Sequence, residues 1–110
     1  MDKLVKFLID GKHSVVIEPR ITDYGELEQR LIELGFIFVK FTDTVGGTEL
    51  GLNLIKNKTN IENADFTNGR GTIDISGTCE LNYHHIRCNA IINLETKSGK
   101  ASVELIDNES

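Results

Sequence analysis

No apolar run in this sequence approaches the ~20 residues that a membrane-crossing helix needs. The opening MDKLVKFLIDGKHS has a lysine-flanked apolar stretch, but it is too short for a signal peptide and lacks a small-residue cleavage site. Cysteine is nearly absent, with only Cys79 and Cys88. With no secretion signal, these two point to the reducing cytoplasm rather than to a disulfide framework. Basic residues are also short, at 12 Lys and Arg against 17 Asp and Glu, for a net charge of −5. They are scattered, so the sequence predicts neither a nucleic-acid nor a membrane partner. Such acidity suits solubility first and a basic protein partner second.

Catalytic signatures are missing too. There is no G-x-S-x-G, P-loop or H-E-x-x-H pattern. The glycine-rich VGGTELG opens into a strand pattern and not a helix N-terminus, so a hairpin turn explains it better than phosphate binding. His13 and Ser14 are neighbours, but adjacent strand residues point apart. The sequence leans away from an enzyme; a dyad assembled across the fold would leave no local signal.

What is present fits one globular domain over residues 1–110, with 39% apolar and 26% charged residues. The clearest helix is TDYGELEQRLIELG, about residues 23–34. Tyr24, Leu27, Leu31 and Leu34 make one apolar stripe. Asp23 with Glu26 resembles a capping box, Glu26 and Arg30 form a favourable i,i+4 pair, and Gly35 suits a left-handed stop.

The rest predicts β structure. FIFVKFTDTVGGTELGLNLIK suggests a hairpin turning at Gly46-Gly47, with Val39 opposite Leu54 and Phe41 opposite Leu52. The last third predicts a three-stranded meander, about 72–82, 85–96 and 101–107. Turns at Tyr83-His84 and Ser98-Gly99 pair Leu81 with Ile86, Cys79 with Cys88, Ile75 with Ile92 and Leu94 with Val103, all on one buried face. For the first ten residues a hairpin at Asp10-Gly11 is favoured over a short helix capped by Asp2. Residues 57–71 form a polar connection of undefined path.

The stretch GTCELNYHHIRCNA holds both cysteines and two histidines. In this register the thiols face the core and His85 faces outward, so they share no metal ion. Buried apolar packing of the cysteines is the expectation, with a redox-sensitive hairpin as the alternative. Glu80 and Arg87 are expected as an outer ion pair. Ile91 and Ile106 are expected as cross-strand partners on that outer face, covered by the N-terminal segment or a second copy.

The expected fold is α+β: a curved antiparallel sheet of about six to seven strands packed on one short helix. One helix cannot cover such a sheet. The remaining apolar face must curl on itself or be buried by a partner, a second copy or a ligand. The expected function is a small cytoplasmic, non-catalytic protein-binding module of accessory, inhibitor or immunity type, using acidic and polar surface. The alternative is a small-ligand carrier or cup-shaped enzyme using the concave sheet face. Candidate partner-binding residues are Glu26, Glu28 and Glu33 on the helix, and His85, Arg87, Asn89, Ile91 and Ile106 on the sheet. No cofactor or metal is expected, and the partner is another protein or a second copy.

Overall fold

The computed structural model describes residues 2–106. In chain order the elements are helix α1 (Lys3–Leu8), strand β1 (Lys12–Ile17), helix α2 (Tyr24–Gln29) running into a π-helical turn (Arg30–Leu34), β2 (Phe36–Phe41), β3 (Thr48–Leu54), a 3-10 turn (Lys56–Lys58), the two-residue β4 (Ala64–Asp65), β5 (Arg70–Leu81), β6 (His84–Asn93) and β7 (Ser98–Leu105). Among the described residues no helix is long and apolar enough to cross a membrane.

The sheet runs β3-β2-β1-β7-β6-β5-β4, and β3 also pairs with β5. Asn53 meets Thr78 and Leu54 meets Gly77, which closes six antiparallel strands into a barrel with β4 appended to β5. The expected curved sheet is therefore a barrel. Alternation drives this closure: Val15 and Ile17, Ile37, Val39 and Phe41, Leu50 and Leu52 all turn inward and are buried. A sheet with that much apolar face and little helix to cover it buries the face by wrapping it.

The meander is present, but each hairpin has slipped. Asn82 and Tyr83 form the β5–β6 turn, with φ of 49° and 70°, as a two-residue primed turn requires; asparagine tolerates that region well. Cys79 consequently opposes Ile86, and Gly77 opposes Cys88. The β6–β7 loop is the four residues 94–97, with Lys97 at φ 55°, so Cys88 meets Val103 and Ile86 meets Leu105. In the β2–β3 hairpin Val39 meets Leu50 and Phe41 meets Thr48. Each slip is by an even number of residues. Side chains alternate with period two, so the buried face survives although the partners change. The last position of the expected 101–107 strand lies outside the described residues.

A short helix closes each end of the barrel. Residues 3–8 are helical, which corrects the favoured Asp10-Gly11 hairpin and adds a second helix to the one expected. The physical reason is the cap. Asp2 accepts hydrogen bonds from the Leu4 and Val5 amides at 2.9 and 3.1 Å, and the helix drops Val5 and Leu8, both fully buried, into the core. At the other end, Asp23 caps α2 through the Gly25 amide at 2.8 Å. The Gly35 N–H bonds Arg30 O at 2.9 Å, five residues back, and Gly35 sits at φ 64°. Leu27 and Leu31 enter the core while Leu34 is 65% exposed. The wider turn rotates Leu34 off the predicted stripe.

The α1 cap predicts a pH effect. The Val5 amide, the Asn82 side chain and the Leu4 amide hold the Asp2 carboxyl below the ordinary aspartate value. Because the folded value is the lower one, the cap is complete above that ordinary value and is lost as pH falls through the lowered value. Hydrogen-exchange protection of residues 5–8 should therefore decline below about pH 4 before that of the barrel strands, and Asp2→Asn should remove this pH dependence.

Candidate functional site

Barrel closure fills the interior. Ile37, Phe41, Leu52, Ile75, Ile86 and Ile92 are among its fully buried side chains, as expected of a barrel of so few strands. The residues singled out from the sequence lie at the α2 end and on the outer wall.

At the α2 end, Glu26, Glu28 and Glu33 ride on the helix and its π turn. Glu26 pairs with Arg30 at 3.6 Å, and Glu33 accepts from the Gln29 amide at 3.2 Å. On the same segment Ile32 and Leu34 are 48% and 65% exposed. Ile32 borders two shallow grooves. One, about 260 Å³, includes Gly25, Glu28, Gln29 and Glu33; the other, about 270 Å³, includes Leu31, Leu54, Thr59 and Ile61. The three glutamates lie on the helical segment the sequence predicts, whereas the exposure of Leu34 is not legible without the π turn.

The outer wall carries the other candidates, alternating along β6 as His85, Arg87, Asn89 and Ile91. His85 Nε2 lies 3.4 Å from Glu80. Arg87 holds Glu104 on β7 through Nε at 2.9 Å and a terminal nitrogen at 2.7 Å. The expected Glu80–Arg87 pair is thus replaced by two others, because the slipped register sets Glu80 across from His85 and Arg87 across from Glu104. Ile91 opposes Lys100 and Asp74, not Ile106. It is 60% exposed and not covered by the N-terminal segment, whose apolar side is spent on the barrel end. Ile106 is half-buried, and its amide bonds His85 O at 2.9 Å.

Cys88 is buried and Cys79 half-buried. Burial pushes the Cys88 thiol up to about 12 and raises that of Cys79 as well, so neither is an active nucleophile at neutral pH. They share the inner face with His85 on the other. The directly opposed pair that would favour a cross-strand disulfide is not formed.

One polar pair escaped the sequence reading. His13 faces inward, 4% exposed, while Ser14 faces out, its Oγ accepting from the Lys100 ammonium at 2.8 Å. His13 Nδ1 meets Asp43 Oδ2 at 2.8 Å, and its ring packs on Phe7 and Phe41 at centroid distances of 4.8 and 6.0 Å. Its Nε2 is buried and has no hydrogen-bond partner among the described residues. A carboxylate-oriented imidazole resembles half of a catalytic triad, but here the nitrogen that would work on a substrate is sealed among side chains. The pair ties β1 to the β2–β3 loop, and the 30-residue separation leaves no local sequence signal.

No protein-family model matches the chain, and no curated protein matches it.

Proposed function

We propose that this domain is a non-catalytic protein-binding module that meets a basic partner with the α2 end of the barrel. The observation that carries this reading is the exposure of Ile32 and Leu34 within a segment bearing Glu26, Glu28 and Glu33. Two large aliphatic side chains held in water on one short element cost free energy that a partner recovers by covering them. An apolar centre with a charged rim is the usual anatomy of a protein interface: the centre supplies affinity, and the rim supplies orientation and association rate. The packed barrel interior supports an exterior contact over a ligand-filled cup.

The test is affinity capture from native lysate with wild type and two variants. Ile32→Ala combined with Leu34→Ala should weaken capture of a basic partner by about tenfold or more. Glu28→Lys combined with Glu33→Lys should slow association in a salt-dependent manner. Lys3→Glu, at the far end, should leave capture unchanged. Capture that ignores the α2 substitutions, or that is lost in the Lys3 control, would overturn the reading. Light scattering separates an outside partner from a second copy.

A further inference from the structure

Four strands of the outer wall align two rows of side chains. One row is Lys12, Ser102, Asn89 and Ser76; the next is Ser14, Lys100, Ile91 and Asp74. Beyond β5, backbone pairing of Asn60 with Asp74 brings the 3-10 turn and its Lys58 alongside. Of these residues Lys12, Lys58, Asp74, Asn89, Ile91, Lys100 and Ser102 line an open recess of about 320 Å³.

The recess is rich in donors. Lys12, Lys58 and Lys100 line it, against the single carboxylate of Asp74. Among the described residues the Lys12 and Lys58 side chains have neither an ion pair nor a hydrogen bond, and the Lys100 ammonium donates to Ser14 Oγ. Asn89 Oδ1 is occupied, accepting from the buried Ser76 Oγ at 2.8 Å. That orientation leaves the Asn89 NH2 group to donate, and the Ser102 hydroxyl lies beside it across the β6–β7 pair. Three lysines line this recess against one carboxylate although the chain as a whole carries −5, and such a local excess of positive charge is relieved by binding an anion.

We propose that this recess is a binding site for a small polyanion, a phosphate or polycarboxylate group, whose oxygens take the lysine, Asn89 and Ser102 donors while its short apolar portion lies on Ile91. The recess is at the lower end of the size range of small-molecule sites, matching a ligand of that size. The site shares no residue with the α2 surface, so it stands or falls independently of the partner-binding reading.

The test is a titration of the folded, isotope-labelled chain with pyrophosphate and, separately, citrate, followed by amide NMR at constant ionic strength. Saturable shifts should be confined to the wall around Asn89, Ile91, Lys100 and Ser102, with a midpoint on the order of 1 mM or tighter. Lys58→Gln and Lys100→Gln should each raise the midpoint about tenfold with the rest of the spectrum unchanged. These side chains are exposed, so the fold should persist. A preference for one probe distinguishes phosphate from carboxylate as the group recognised. Shifts that are linear in concentration, that chloride reproduces, or that survive both lysine substitutions would overturn the proposal.

Discussion

Replacing Gly99 with alanine should unfold or severely weaken the barrel. Gly99 lies on β7, opposite Ile92 on one side and Val15 on the other. A Cβ there would stand 1.8 Å from Ile91 O, 2.9 Å from Ile91 C and 3.0 Å from Ile92 Cα. All three are backbone atoms of a strand held on both sides, so no side-chain rotation relieves the overlap. The β6–β7 ladder must separate locally, and the expected loss is about 3 kcal/mol or more. Gly51→Ala is the informative comparison. Its Cβ would meet the Phe36 ring tip at 2.6 Å and the Phe38 ring at 3.2 Å, but these are side-chain and not backbone atoms, so the loss should be smaller. Chemical denaturation of the two variants gives the order, and equal losses would contradict the account.

Leu27→Ala and Leu34→Ala should behave in opposite ways, although both residues lie on the same predicted stripe. Leu27 is fully buried at the α2 end, so truncating it opens a cavity at the barrel mouth. A loss of about 2–5 kcal/mol is expected, read as a fall in denaturation midpoint with little change in slope. Leu34 is 65% exposed, and its truncation should change stability by no more than about 0.5 kcal/mol. If Leu34→Ala proved as damaging as Leu27→Ala, the π turn would be wrong and the regular helical stripe right.

The leucine contrast marks where sequence reading stops. Alternation placed Ile73, Ile75, Ile86, Cys88 and Ile92 on the inner face correctly, because that pattern is local and tolerates a slip by any even number of residues. Asp23 and Gly35 marked the ends of the second helix because capping is local chemistry. A sheet curling on itself was one expected outcome, but the closing pairs of the barrel were not legible. Its closure depends on Leu54 finding Gly77 and on His13 finding Ala101, and nothing within a short window encodes those meetings. The candidate surfaces divide in the same way. Glu28, Glu33, Arg87 and Asn89 follow from outward-facing periodicity, whereas Lys12, Lys58 and Lys100 come together only through β1–β7 pairing and the Asn60–Asp74 bridge.

That β1–β7 pairing also dictates when the molecule can fold. Residues 12–16 find their partners at residues 98–102, so the first long strand of this sheet waits for its last. Until β7 leaves the ribosome, β1 has only β2 beside it and the ring stays open. A large entropic cost of long-range closure must be met before the final contacts repay it, which places this domain among slow, millisecond-to-second folders rather than fast helical ones.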